Sequence, residues 1–172
     1  MSVRGGFEAF VGDSSSRLLR TAYLLIGDRH EAEDLLQMTL IRVARHWRTA
    51  EAAPVPYAHR VLVNLSRDRA RRARRRVPEV GWDELQASPA EFRDLADELA
   101  QRASVIDALA RLPDRQREVL VLRFYADLSV AESAAAIGAS EGTVKSHTSR
   151  ALARMRGLLA EPTPLEVSPD DR

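Results

Sequence analysis

The chain has no cysteine, which excludes a disulfide scaffold, a thiolate nucleophile and a Cys-ligated zinc site. Lysine is nearly absent too: Lys145 is the only one, so arginine carries almost all the positive charge, and alanine is abundant. That usage points to a GC-rich source and says nothing of chemistry. No apolar run approaches the length that spans a bilayer. The first residues, Met1 to Gly6, lack the apolar stretch of a signal peptide, so a cytoplasmic protein is expected. A net excess of one charge sign is also missing, since the formal net charge is +1 over 172 residues. On average that argues against a polyanionic partner, but the charges are strongly segregated along the chain. What is present is hydrophobic residue in quantity, 45%, enough for a chain of this length to bury a core.

The apolar residues recur at helical spacing, and no stretch shows strand alternation or an internal repeat. Phe7, Phe10, Val11, Leu18, Leu19, Ala22 and Leu25 predict a first helix, with Ser14-Ser15-Ser16 as a candidate interruption and Gly27 as its stop. Asp28 and Glu31 form a capping-box pattern before a second helix whose stripe is Ala32, Leu35, Leu36, Leu40, Val43, Ala44 and Trp47. Off that stripe lie Glu33, Asp34, Gln37, Thr39 and Arg42. A loop holding Pro54 and Pro56 precedes a third helix from about Tyr57 to Arg75, with Ala58, Val61, Leu62 and Leu65 on one face. Between residues 78 and 100 seven carboxylates face a single Arg93, which reads as an acidic flexible linker. A second helical unit follows at 101–160. Its first helix carries Val105, Ile106, Leu109 and Leu112, and Pro113 opens the next. The segment 161–172 is Pro-rich and acidic and reads as a disordered tail. The expected fold is all-α, with two small helical domains on a tether.

The stretch from Ser129 to His147 has the spacing of a helix-turn-helix. Ser129 and Glu132 make a capping box, Gly138 permits a tight turn, and Ser140 caps the following helix. In that helix Val144, Thr148, Ala151, Leu152, Met155 and Leu159 share one face, leaving Lys145, Ser146, Ser149, Arg150 and Arg154 on the other. Such a basic, hydroxyl-bearing face suits phosphates and base edges, and the capped start offers the N–H groups of Glu141, Gly142 and Thr143 to a phosphate. The bland alternative is a helical hairpin with a solvated charged face. Ser133 stands where an apolar residue is usual, and its hydroxyl is expected to bond back to the Ser129 carbonyl.

In the third helix Arg60, Asn64, Asp68 and Arg72 follow one another at i+4 steps with Arg71 beside them. Arg67, Arg69, Arg71, Arg72, Arg74, Arg75 and Arg76 add a dense positive field against Asp68 alone, a repulsion that a polyanion would offset. A surface stripe in which Asp68 pairs with Arg72 is the alternative.

Two motif sets carry a family resemblance. Ala22 to Gln37, reading AYLLIGDRHEAEDLLQ, is similar to region two of the extracytoplasmic-function (ECF) sigma factors of bacterial RNA polymerase, within the sigma-70 family. Leu112 to Val119 and Gly142 to Ser146 resemble their region four. The match, to a small actinobacterial-looking branch, runs from about Phe7 to Leu159. The resemblance implies region two at 7–77, for core polymerase binding and minus-10 recognition and melting, and region four at 101–160, for minus-35 recognition. It implies that Asp34 and Gln37 dock on polymerase, that Arg60, Asn64, Arg67, Arg71 and Arg72 lie near the melted minus-10 strand, and that Gly142, Thr143, Lys145, Ser146, Ser149, Arg150 and Arg154 contact the minus-35 element. Partners then include core RNA polymerase, promoter DNA and an anti-sigma factor, with a nucleoid-associated location. The loop from His46 to Pro56 corresponds to the one that holds an extruded base, with Trp47, Arg48 and Thr49 as candidates, although Trp47 reads better as core because it continues the second helix's stripe.

Two other classes compete. A free-standing helix-turn-helix regulator usually adds a dimerisation or ligand domain, and the N-terminal half has neither a heptad seam nor a ligand fingerprint. An enzyme acting on nucleic acid needs clustered carboxylates, a phosphate loop or an activated nucleophile, and the sequence offers none. His30, His46, His59 and His147 are scattered without metal-ligand spacing. No catalytic residue, metal or cofactor is expected.

Overall fold

A computed structural model describes residues 3–75 and 103–160; the expected linker at 78–100, the tail at 161–172 and Arg76 lie outside them. Helix α1 (Val3–Ile26) runs without a break. The serines read as an interruption fit inside it because Ser15 turns its hydroxyl onto the Val11 carbonyl at 2.6 Å, which satisfies the polar group without leaving the helix. Gly27, in the left-handed region at φ +83°, stops the helix and donates its N–H to the Tyr23 carbonyl. Asp28 then caps α2 (Arg29–Arg45) through the Glu31 N–H at 2.7 Å. Glu31 does not close the expected box in return; its carboxylate turns to Arg69, 3.3 Å away.

Three further expectations for this half change. Thr39 is fully buried, not on the polar side, because its hydroxyl donates to the Leu35 carbonyl at 2.8 Å and leaves only a methyl group to pack. The segment after α2 contains a short helix, α3 (Trp47–Ala50), whose Trp47 sits edge-on to Phe7 with centroids 5.3 Å apart and tilted against Phe10 at 5.6 Å. Trp47 is therefore core, as its stripe implies. Helix α4 begins at Pro54, three residues before the expected start, and runs to Arg75. Both prolines fall in its first turn, where a missing N–H leaves nothing unpaired. Ala58, Leu62 and Val63 bury its inner face against α1 and α2.

The second unit comprises α5 (Ala103–Ala110), α6 (Asp114–Leu120), α7 (Val130–Ile137) and α8 (Glu141–Ala160). Pro113 caps α6, and a π-helical turn at Val121–Tyr125 follows it. The turn is wide because the Ala126 N–H reaches back to the Val121 carbonyl and that of Leu128 to Leu122. Asp127 takes a left-handed conformation there, φ 57°, which Asp tolerates better than most residues.

The two units pack against each other. Helix α7 lies on α4, and α1 touches α5, α6 and the π-helical turn. One hydrophobic core therefore runs from Leu18, Leu35 and Leu62 into Val119, Leu122 and Ile137. A smaller cluster of Ala108, Leu112, Leu120, Ala151 and Met155 holds the second unit together. Leu159, assigned by periodicity to the buried face of α8, is exposed, and its neighbour Leu158 packs on the cluster instead.

His59 is buried at the contact of α4 with α1. Its Nδ1 lies 2.9 Å from the Val55 carbonyl and its Nε2 has no partner. Burial holds its pKa below the ordinary imidazole value, opposed by the Val55 bond and assisted by the charge of Arg17. A base whose pKa falls on folding binds more protons when unfolded, so stability rises with pH through this window. The contribution is complete above about pH 6.5 and is lost as pH falls toward the depressed folded value. Thermal unfolding between pH 7.5 and 5 should show a falling midpoint for the native chain and a shallower fall for His59→Gln. Equal slopes in the two proteins would contradict this assignment.

Candidate nucleic-acid interface

The helix-turn-helix is built as its sequence dictates. The Ser129 Oγ accepts the Glu132 N–H at 3.1 Å while the Glu132 carboxylate accepts the Ser129 N–H at 2.7 Å. Hydrogen bonding to the Ser129 side chain, and after it to the Ser129 N–H, holds the Glu132 carboxyl below the usual carboxylate range. Gly138 ends α7 in the left-handed region, φ 68°, and the Ala139 N–H closes the turn on the Ala134 carbonyl. At the start of α8 the Ser140 Oγ accepts the Thr143 N–H at 3.2 Å. That bond removes Thr143 from the N–H groups available to a phosphate and leaves those of Glu141 and Gly142. Ser133 does not bond back to Ser129: its hydroxyl is buried without a partner, while its N–H takes the Ser129 carbonyl in the ordinary helical bond.

Val144, Ala151 and Met155 bury the inner face of α8, and Thr148 bonds to the Val144 carbonyl at 2.8 Å. Gly142, Thr143, Lys145, Ser146, Ser149, Arg150 and Arg154 are all exposed on the opposite side. His147 lies between the two faces, half-buried.

Helix α4 presents a second exposed polar face, with Arg60, Asn64, Arg71 and Arg72 open to solvent. Its charge is more compensated than the local sequence indicates, because carboxylates remote in the chain reach it. Asp68 pairs with Arg71 at 2.9 Å, not with Arg72. Arg69 lies 3.3 Å from both Glu31 and Asp34 of α2. Arg67 is drawn away from the others into the seam between the units, where its Nε and Nη2 donate to the two carboxylate oxygens of Glu118 at 2.7 and 2.6 Å and its Nη1 donates to the Ile137 carbonyl at 2.9 Å. Helical spacing could not reveal this pair, which joins residues 51 apart in sequence.

On α2, Asp34 and Gln37 are exposed as expected. Beside them Met38 and Ile41 are also exposed, 46% and 47%, which makes an apolar patch flanked by polar groups of the kind that marks a protein interface. The sequence held the signal: both residues fall off the buried stripe of α2. Of the residues suggested for an extruded base, Arg48 and Thr49 are exposed and Trp47 is not. Among the described residues no three His, Asp or Glu side chains group as for a metal ion, and no helix is long and apolar enough to cross a membrane.

The exposed face of α8 carries its polar residues at two levels along the helix. Lys145 and Ser146 follow the capped start and Arg150 and Arg154 lie further along; a recognition helix that leaves the groove floor in that direction would put base contacts on the first pair and phosphate contacts on the second. In a competition of DNA variants at fixed salt, Lys145→Ala should cost about 1–3 kcal/mol on the preferred sequence and little on a scrambled one, while Arg150→Ala should weaken both alike and lower the salt slope by about one. The division of labour fails if Lys145→Ala preserves the ranking of variants and Arg150→Ala reorders it.

Comparison with known proteins matches residues 10–76 to the family described as Sigma-70 region 2 and residues 102–155 to Sigma-70, region 4. The RNA polymerase sigma-E factor of Streptomyces coelicolor is 41% identical over 152 residues, covering 87% of this chain and 84% of the relative. The ECF RNA polymerase sigma factor SigM of Mycobacterium tuberculosis is 33% identical, covering 91% and 78%. Among solved structures, the sigma factor RpoE of Bartonella quintana, in complex with the anti-sigma factor NepR, superposes with a TM-score of 0.65 at 25% identity, over 89% of this chain and 96% of that one. With both regions matched in order and relatives aligned over most of their length, the chain belongs to the ECF group of the sigma-70 family of RNA polymerase sigma factors.

Proposed function

We propose that this chain binds core RNA polymerase and directs it to promoters, with α8 reading the minus-35 element and α4 engaging the minus-10 strand. The observation that carries the reading is the pair of exposed basic faces, one in each sigma region, each built on a helix whose opposite side is buried. A stand-alone regulator would leave the first face and the α2 patch without a role. The domain assignment follows: residues 7–77 serve polymerase and the minus-10 region, and residues 101–160 serve the minus-35 region. The protein acts by binding, without catalysis of its own, in the cytoplasm at the nucleoid. Because the superposable RpoE was solved with an anti-sigma factor, control of this chain by such a partner is part of the same reading.

Asp34 and Gln37 frame the apolar pair Met38 and Ile41 and would set the orientation of polymerase on α2. Asp34→Ala combined with Gln37→Ala should weaken core binding, measured by co-purification and titration, while the isolated chain keeps its helical content. Unchanged affinity for core would remove the assignment.

On α4, Arg71 and Arg72 are placed to meet phosphates of the opened strand. Replacing both with Ala should impair open-complex formation and flatten its salt dependence. Permanganate reactivity of the promoter bubble equal to that of the native protein would give α4 another role.

A further inference from the structure

Helix α1 and the start of α4 enclose a polar cleft of about 300 Å³, lined by Asp13, Ser14, Arg17 and Leu18 from α1 and by Val55 and His59 from α4. None of these residues belongs to the polar faces of α2, α4 and α8 described above. Ser14, Leu18 and His59 are buried and make its floor, while Asp13 and Arg17 are exposed at its rim.

The packing of the first unit leaves His59 unsatisfied. Its side chain is fully buried, its Nδ1 lies 2.9 Å from the Val55 carbonyl, and its Nε2 has no partner. A carbonyl only accepts, so Nδ1 carries the proton. Burial keeps the ring neutral, which leaves Nε2 as a bare acceptor. An acceptor withdrawn from water without a donor is costly. With Nδ1 turned back on its own helix, the cleft is where a donor for Nε2 has room.

The charges around the cleft select what that donor belongs to. Arg17 is near enough for its charge to act on the His59 ring. Among the described residues it forms no ion pair, although Asp13 stands four residues before it on the same helix. The cleft also meets the N-terminal end of α4, where Val55 carries the sole N–H of the opening Pro54-Val55-Pro56. Arg17 and that positive helix end repel a cation and attract an anion. Asp13 and the His59 Nε2 add a second condition: as acceptors, they require the anion to bring a hydrogen of its own. Inorganic phosphate near neutral pH meets both conditions, with charged oxygens for Arg17 and Ser14 and an O–H for Nε2. Sulfate has the same shape and no hydrogen, so it would set lone pair against lone pair. A phosphate monoester has lost most of its second proton above its pKa of about 6.

We propose that the cleft between α1 and α4 binds inorganic phosphate in a form that retains a proton, with Arg17 and the Ser14 hydroxyl donating to its oxygens and the His59 Nε2 accepting its O–H. The ligand bridges two helices, so its occupancy stabilises the folded first unit. The site involves neither DNA nor polymerase and does not rest on the function proposed above.

The test is a titration of the full chain, nitrogen-15-labelled in its histidines, at about pH 7.5, where His59 is neutral. Sodium phosphate, sodium sulfate and methyl phosphate are added separately, with sodium chloride holding the ionic strength constant. Phosphate should move the His59 Nε2 resonance saturably, with a Kd of about 1 mM or tighter. Sulfate and methyl phosphate should each bind at least about tenfold more weakly. Arg17→Gln, an exposed substitution outside the core, should weaken phosphate by about tenfold or more. The proposal is overturned if phosphate produces no saturable change at His59, if sulfate or methyl phosphate matches it, or if Arg17→Gln binds phosphate as the native chain does.

Discussion

Arg67 can leave water only because Glu118 and the Ile137 carbonyl take up its donors, and the way the two helical units meet depends on that exchange. The apolar part of the seam is non-directional: Leu62, Val119, Leu122 and Ile137 exclude water but would tolerate sliding. A forked pair with one further acceptor has a single geometry. It fixes the register of α4 on α7 at a position where slippage would leave a buried carboxylate unpaired.

The same helix serves three surroundings. Its inner face carries Ala58, Leu62 and Val63 into the core of the first unit, its flank delivers Arg67 to the seam, and its outer face exposes Arg60, Asn64, Arg71 and Arg72. Like charges on one helix repel, and the fold offsets part of that by bringing Glu31 and Asp34 to Arg69. Those bridges are exposed and individually weak. Their consequence is arrangement: they tie α4 to the side of α2 that carries Glu31 and Asp34.

Much of this was legible in the sequence because it is local. The capping box of Ser129 and Glu132, the turn at Gly138 and the exposed set on α8 each follow from residues within one or two turns of one another. Trp47 was readable as core from the stripe it continues. The exceptions have physical causes. Thr39 looks polar but hides its hydroxyl on the Leu35 carbonyl; Pro54 and Pro56 look like a loop but suit the first turn of a helix. The charge of α4 was misjudged because Glu31, Asp34 and Glu118 are distant in sequence and adjacent only after folding. Periodicity cannot report a contact between helices, and for that reason the tether between two independent units was the expected picture while the closed seam was invisible.

The central claim, that this chain confers promoter choice on polymerase, is tested most directly by mapping the 5′ ends of transcripts made on genomic DNA by core enzyme with and without the protein. The account predicts discrete new start sites, sharing sequence elements upstream near minus-10 and minus-35, that depend on its presence. Transcript ends identical to those made by core enzyme without it would contradict the account.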